Sequence, residues 1–219
     1  MLVRDCMTRH PLMAPPTMLA AEAQHIMREN IIHHLPVVGD GKRLLGLVDH
    51  MSFARDPGAL ASLDVWEITR HLSRLSVSDI MTPVDKVATV APDRTVERAA
   101  RYMTEHRLSC LTVVEDGDIV VGILTAVDLL NAFQIMWGLP SEGVRVTIRM
   151  PNQPGEFAKL TAMLGRQTWG VMGIGTFPTP RREGFYDAVV KIRGVGVDEA
   201  RAVLSQIPNQ EVVDIREVV

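Results

Sequence analysis

Several residue types that mark particular protein classes are scarce in this chain. Among 219 residues there are 2 cysteines, Cys6 and Cys110, which are isolated from each other and from any metal-binding spacing. A disulfide framework or a zinc site is therefore not expected. Aromatic residues amount to 5% and the formal net charge is -3, so the chain has neither the stacking platforms nor the basic excess of a nucleic-acid-binding protein.

Long apolar runs and catalytic signatures are also lacking. Charges interrupt the segment Met1–Cys6, where a signal peptide needs an apolar core, and no apolar run reaches about 18 residues. We therefore expect a cytoplasmic protein without a membrane partner. There is no phosphate-binding glycine loop, and the adjacent His33 and His34 would point to opposite sides of a strand. We expect no enzyme activity, no metal site and no required cofactor.

What the sequence does contain is an internal repeat. Asp5 and Asp79 are 74 residues apart in matching segments, and Gly46 and Gly122 are 76 residues apart. The matching segments are Val3–Thr8 with Val77–Thr82, Leu35–Val38 with Leu111–Val114, and Asp40–Gly41 with Asp116–Gly117. The pattern of each copy predicts a lead-in segment, a helix, two strands and a second helix. Because one copy could hardly bury its apolar faces alone, we expect the two copies to pack on each other.

Helical periodicity predicts where these copies begin and end. The first helix of the second copy follows the N-cap Thr95, and a third helix over Asp64–Leu75 links the copies. The apolar stripes are Ala20, Ala23 and Met27 in the first copy and Val96, Ala99, Ala100 and Met103 in the second. The last helix of the second copy should stop near Trp137, because Gly138–Pro140 follows it.

The segment Leu111–Leu130 combines a strand pair with the start of that last helix. Thr125 and Asp128 stand where the helical pattern begins. Backbone N–H groups at such a junction suit a phosphate, and the Asp128 carboxylate could accept two hydrogen bonds from ribose hydroxyls. The same two residues also form a capping box, which stabilises a helix without any ligand. Both interpretations stay open on these residues alone.

The last third of the chain changes its pattern at Val144. Alternating apolar residues, turn signals and helical stripes predict the order βαββαβ, that of a ferredoxin-like sandwich with two helices on a four-stranded sheet. The predicted elements are Val144–Met150, Phe157–Leu164, Gly170–Phe177, Phe185–Ile192, Asp198–Ile207 and Val212–Val218. The whole chain is therefore expected to be α+β, with mixed α/β content.

These motifs resemble known families. The repeated Asp-x-Met-Thr segment, the strand Leu35–Val38 and the segment Gly122–Asp128 resemble a tandem pair of cystathionine-β-synthase (CBS) domains, or Bateman module. A strand followed by Asn152–Phe157 resembles an ACT domain. The order CBS, CBS, ACT is similar to the acetoin-utilization protein B family of bacterial regulators. The expected divisions are CBS repeat 1 (1–54), a linker helix (55–76), CBS repeat 2 (77–137), a linker (138–142) and the ACT domain (143–219).

The CBS resemblance implies a non-enzymatic regulator that binds an adenosine-containing ligand, such as AMP, ADP, ATP or S-adenosylmethionine. The family's ribose-binding pattern matches at Thr125 and Asp128, whereas the first copy carries Asp49 and Ser52 in exchanged order. We therefore expect one competent nucleotide site per chain. Further candidates are Lys86, His106 and Arg107 for the phosphate and Val84, Val87 and Leu111 for the adenine.

The ACT resemblance implies a small-ligand loop made of Asn152, Gln153, Pro154, Gly155 and Glu156. The backbone N–H groups of Gly155 and Glu156 would face a ligand there. Met172 occupies the place of the family's usual asparagine, and a thioether cannot donate a hydrogen bond to a ligand carboxylate. Dimerisation is therefore at least as well supported for this domain as amino-acid sensing.

Three functions remain open on the sequence. The leading one is an adenosine-ligand sensor, which the resemblance connects with acetoin utilisation and with a regulated enzyme as partner. The second is an assembly module whose clefts stay empty. The third is an amino-acid sensor in which the CBS pair only dimerises. A homodimer through both the CBS and the ACT domains is the expected assembly.

Overall fold

The structure is a computed structural model that describes residues 1–54 and 74–218. The chain divides into two compact units, Met1–Asn131 and Ala132–Val219. The predicted linking helix Asp64–Leu75 lies almost entirely outside the described residues. Of the helices that the structure describes, none is long and apolar enough to cross a membrane.

The first repeat forms a strand pair flanked by a helix. Its elements are α1 (Val3–Cys6), β1 (Thr8–Arg9), α2 (Ala20–Glu29), β2 (His34–Val38) and β3 (Leu44–Asp49), with 3-10 turns at Asp40–Lys42 and His50–Ala54. The predicted stripe of Ala20, Ala23 and Met27 is buried on one face of α2. Strands β2 and β3 pair antiparallel, so that His34 lies opposite Asp49 at one end of the pair.

The second repeat follows the same order. Its elements are α3 (Val77–Ile80), β4 (Thr82–Pro83), a 3-10 turn (Val84–Lys86), β5 (Thr89–Val90), α4 (Val96–His106), β6 (Cys110–Glu115), β7 (Ile119–Thr125) and α5 (Ala126–Met136). The backbone N–H of Arg98 donates to Thr95 Oγ1, which confirms the predicted N-cap. Strands β6 and β7 pair antiparallel, and α5 ends one residue before Trp137, as the sequence predicts.

The two repeats exchange their short lead-in strands. Strand β1 of the first repeat pairs with β7 of the second, with Thr8 opposite Ile123. Strand β4 of the second repeat pairs with β3 of the first, with Thr82 opposite Leu47. Val77 joins a buried cluster composed otherwise mostly of first-repeat residues. The expectation that the two copies pack on each other is therefore met through an exchange that the sequence did not reveal.

The matching glycines of the repeat lie at these exchanged strands. A Cβ atom on Gly122 would come within 2.5 Å of the Met7 sulfur and 3.0 Å of the Thr8 carbonyl oxygen. A Cβ atom on Gly46 would lie 2.6 Å from the Thr82 carbonyl oxygen. At Gly46 the obstructing atoms include backbone, which cannot move aside as a flexible side chain can, and at Gly122 the Met7 side chain and the Thr8 backbone would both have to shift. The repeated glycines thus allow the lead-in strands to approach closely.

The second unit has the predicted βαββαβ order. Its elements are β8 (Gly143–Pro151), α6 (Glu156–Leu164), β9 (Gly170–Pro178), β10 (Phe185–Arg193), α7 (Val197–Leu204) and β11 (Glu211–Val218). The antiparallel sheet has the strand order β11-β8-β10-β9. Apolar residues of both helices, among them Leu160 and Leu204, share one buried cluster with alternate residues of β8 and β10. The chain as a whole is therefore a mixed α and β protein.

The other face of this sheet buries charged side chains. Asp187 on β10 accepts hydrogen bonds from Arg149 Nε and Nη2 at 2.9 and 3.1 Å, and from Thr179 Oγ1 at 2.8 Å. Lys191, 3% exposed, donates from Nζ to the carbonyl oxygens of Gly138 and Ser141. These partners satisfy charges that would otherwise be costly to bury.

Candidate functional site

A cleft of about 1060 Å³ lies within the first unit. Its lining residues are Thr8, His10, Pro11, Leu12, Asn30, Ile31, Ile32, His33, His34 and His50 from the first repeat and Ser109, Ile123, Thr125, Ala126 and Val127 from the second. A cavity of this volume is at the upper end of the range for small-molecule and cofactor sites. Both repeats therefore contribute walls to one cleft of ligand size.

The Thr125–Asp128 junction stands at the edge of this cleft. Thr125 donates to Asp128 Oδ2 from its backbone N–H and from Oγ1, both at 2.7 Å, and the Asp128 N–H donates to Thr125 Oγ1 at 3.2 Å. The predicted capping box is therefore present. Among the described residues, no hydrogen bond reaches Asp128 Oδ1. Because a carboxylate has about four acceptor positions, the box leaves two of them available on Oδ1.

The first repeat builds the reverse arrangement. The Ser52 backbone N–H and Oγ donate to Asp49 Oδ1 at 2.8 and 3.0 Å, and the Asp49 N–H donates to Ser52 Oγ at 3.1 Å. Ser52, in the place that corresponds to Asp128, is only 2% exposed. The first repeat thus caps its turn in the same way but presents no acidic group at the Asp128 position.

Four histidines, His10, His33, His34 and His50, are among the residues that line the cleft. His34 Nε2 lies 2.9 Å from Ser109 Oγ, so that a first-repeat strand and a second-repeat loop meet there. The His33 and His50 rings lie edge to face with centroids 6.3 Å apart. Burial lowers the pKa of His34, and the neighbouring His33 and His50 act in the same direction while Asp49 opposes them. Among the described residues, no group of three or more His, Cys, Asp or Glu side chains could hold a metal ion.

Of the residues predicted to contact the nucleotide, only Thr125 is in the cleft lining, with Asp128 adjacent to it. Val84 and Lys86 lie in the 3-10 turn that packs on β3, and Val87 follows that turn. All three belong to the same repeat as Asp128, which is the basis of the prediction. The strand exchange instead brings the first repeat's segment 8–12 into the cleft lining beside Thr125.

The remaining predicted contacts also lie outside the cleft lining. Leu111 is fully buried in β6. His106 is exposed on α4, with its ring centroid 4.4 Å from that of Tyr102. Arg107 ends α4 in the left-handed conformation and lines a separate groove of about 330 Å³. The structure therefore does not bring these residues together with Thr125 and Asp128 around the cleft.

The cleft residues that the sequence reading missed are mostly in the first repeat. His33 and His34 were considered only as a pair of metal ligands, and His10 and His50 were not singled out. A usable signal was present, because matching repeats that pack on each other place equivalent segments on facing sides. The segments around positions 10 and 33 could have been predicted to complete the site of the second repeat.

The second unit has a small cavity of about 190 Å³ beside the predicted ligand loop. Asn152, Gln153 and Glu156 are among its lining residues, whereas Pro154 and Gly155 are exposed outside the lining. The remaining lining residues are Met150, Pro151, Phe157, Thr176 and Tyr186. The loop therefore borders a cavity, although only part of it faces inward.

Glu156 is already engaged by protein groups. Its carboxylate accepts from Lys159 Nζ at 2.6 Å and from Gln210 Nε2 at 3.2 Å, and the hydrogen bond from Lys159 is the main reason that the pKa of Glu156 is lowered. Its backbone N–H donates to the Gln153 carbonyl at 3.4 Å. The predicted use of this N–H for a ligand is therefore not supported, because the turn already uses it.

Comparison with protein families matches residues 3–55 and 77–135, more than half of the chain, to the CBS domain. An L-aspartate semialdehyde sulfurtransferase of Methanocaldococcus jannaschii is 28% identical over 134 residues, 60% of this chain and 23% of that protein. A homoserine O-acetyltransferase of Methanohalobium evestigatum is 31% identical over 110 residues, 49% of this chain and 19% of that protein. The chain thus spans about a fifth of the length of these curated relatives.

Solved structures resemble the first unit. A protein of Vibrio cholerae described as an acetoin utilization protein has 32% identity and a TM-score of 0.50, covering 61% of this chain and 90% of that chain. The CBS domain pair of protein MJ0100, solved with 5-methylthioadenosine and S-adenosyl-L-methionine, has 29% identity and a TM-score of 0.50, covering 61% and 95%. CBSX2, solved with AMP, has 27% identity and a TM-score of 0.50, covering 60% and 95%.

Proposed function

This chain belongs to the CBS domain family, and from that premise we propose that it is a non-catalytic regulator that binds an adenosine-containing ligand in the cleft of about 1060 Å³. The observation that carries the proposal is the free Oδ1 of Asp128 beside that cleft. Two neighbouring ribose hydroxyls could donate to it while the capping box remains intact. Related CBS pairs solved with AMP, 5-methylthioadenosine and S-adenosyl-L-methionine support adenosine as the shared group.

We further propose that each chain has one such site. The corresponding position of the first repeat is Ser52, whose hydroxyl is buried and engaged with Asp49. The carboxylate of the first repeat stands instead at Asp49, the position of Thr125 in the second repeat. There it would lie near ligand phosphates and repel them.

The test is thermal melting of the full chain with AMP, ATP and S-adenosylmethionine. Ligand at about 100 times its Kd should stabilise the first unit by ~2.7 kcal/mol. The Asp128→Asn amide keeps an acceptor oxygen for the Thr125 N–H but lacks the negative charge that would strengthen hydrogen bonds from the ribose hydroxyls. Two weakened charge-assisted bonds should raise Kd by about 100-fold. Ser52→Ala is the matched control at the equivalent position and should leave Kd within about twofold. An equal loss in both variants contradicts the one-site proposal.

We propose that the second unit is an ACT-type domain that dimerises the chain or senses a small molecule. The βαββαβ order and the cavity of about 190 Å³ beside Asn152–Glu156 support this assignment. The regulated partner would be an enzyme, and the similarity to the Vibrio cholerae protein supports a connection with acetoin utilisation. Light scattering should report a homodimer. A thermal shift by an amino acid that survives Asp128→Asn would favour amino-acid sensing, and no shift by any compound would favour an assembly module.

A further inference from the structure

The lining of the cleft has no permanently positive group for a ligand to meet. Among the described lining residues there is no lysine and no arginine, and the ionisable side chains are His10, His33, His34 and His50. Histidine is the side chain whose ordinary pKa lies close to neutral pH. The positive charge available to a ligand therefore depends on how many of these imidazoles are protonated.

The four side chains come from three separate segments that converge on the cleft. His10 follows β1, His33 and His34 are at the start of β2, and His50 follows β3. His33 and His50 are exposed to the cleft, with ring centroids 6.3 Å apart. We call these four residues the histidine face. The rings of the histidine face therefore border the same part of the cleft.

Other groups packed against the histidine face affect the protonation of His34. Asp49 on β3 lies opposite His34 and favours its protonated form, whereas burial and the neighbouring His33 and His50 disfavour it. Ser109 from the second repeat contacts His34 Nε2 and can serve either as donor or as acceptor. An anion placed among these rings would favour the protonated form of His34, which burial disfavours in the free protein.

We propose that the histidine face makes the cleft select adenosine ligands that carry phosphate groups, and that such a ligand takes up at least one proton when it binds. This inference rests on the proposed function, since it assumes that the adenosine occupies the cleft beside Asp128. Affinity for a nucleotide then rises as the pH falls, by up to about tenfold per pH unit for each proton taken up. Neutral adenosine shows no such rise, and cationic S-adenosylmethionine binds less well at low pH.

The experiment is calorimetric titration of the full chain with ATP and with adenosine at pH 6, 7 and 8, in two buffers of different ionisation enthalpy. The difference between the buffers counts the protons taken up on binding. The double variant His33→Gln/His50→Gln removes two exposed rings without removing the His34 contact with Ser109. His25→Gln, an exposed histidine of α2 outside the cleft lining, is the matched control. Circular dichroism verifies that both variants are folded.

For the unmodified chain and His25→Gln, Kd for ATP should fall at least about fivefold from pH 8 to pH 6, with proton uptake at pH 7. The double variant should lose most of the pH dependence. Because the nucleotide phosphate itself titrates near pH ~6, the difference between the unmodified chain and the double variant is the decisive quantity. An unchanged pH dependence in the double variant, or an equal dependence for adenosine, overturns the inference while the proposed function stands. Absence of binding by both compounds at every pH overturns both.

Discussion

Replacement of Gly122 by alanine should affect the fold and the cleft together. The added Cβ atom would lie 2.5 Å from the Met7 sulfur and 3.0 Å from the Thr8 carbonyl oxygen, so the Met7 side chain and the β1 backbone at Thr8 must shift. Overpacking of this kind costs about 1–3 kcal/mol. For a unit of this size, a loss of ~2 kcal/mol lowers Tm by roughly 5–10 °C. Because β1 leads into the cleft wall at His10 and Leu12, Gly122→Ala should also weaken nucleotide binding.

Substitutions at two other glycines distinguish the loss of stability from the loss of nucleotide affinity. Gly46→Ala meets the Thr82 carbonyl at the exchanged strand of the other repeat, so it should lower Tm by a similar amount. That strand contributes no residue to the cleft lining, and Kd should therefore change by less than about twofold once binding is measured well below Tm. Gly39→Ala would contact only the end of the Leu45 side chain and should change neither quantity much. Nucleotide affinity that is equal in Gly122→Ala and Gly46→Ala would refute the role of β1 in the site.

Two further predictions concern buried ionisable groups. Asp187→Asn should lower the free energy of unfolding by about 1–3 kcal/mol at pH 7, because Arg149 and Thr179 lose their charged acceptor. Burial alone would raise the pKa of Asp187, but hydrogen bonds from Arg149 and Thr179 lower it. The stability that the Asp187 carboxylate contributes is therefore present above the ordinary carboxyl pKa and is lost as the pH falls. Urea unfolding at pH 7 and pH 3 should show that the difference in stability between the two proteins shrinks in acid. Burial raises the pKa of Cys110 to about 12, so its thiol should resist alkylation in the native protein at pH 8. The stability of the protein should fall as the pH rises above the ordinary thiol pKa. Rapid labelling of Cys110 in the native state would contradict this prediction.

Much of the fold could be predicted because it depends on local periodicity. The strand pair β6–β7, the helix after Thr95 and the βαββαβ order all follow from local apolar spacing and turn residues. The exchange of β1 and β4 could not be predicted in this way, because strands of 2 residues have no periodicity to read. The repeated Gly46 and Gly122 mark the repeat, and their close contacts with the exchanged strands are visible only once the strands are in place.

The capping box at the edge of the cleft was predictable because it depends on residues that are close together in the sequence. Thr125 and Asp128 form the box that their spacing indicated. The opposite wall was not predictable from sequence proximity, since it comes from the other repeat, in part by way of the exchanged strand. Val84 and Lys86 belong to the same repeat as Asp128, whereas the structure places His10 and His33 of the other repeat in the cleft with Thr125.

The most direct measurement of the central claim is a crystal structure of the full chain grown with AMP. Adenosine should occupy the cleft of the first unit, with its ribose hydroxyls about 2.6–3.0 Å from the Asp128 carboxylate. The position beside Ser52 should hold no nucleotide. Density for AMP beside Ser52 instead, or none in the cleft of a saturated crystal, would contradict the account.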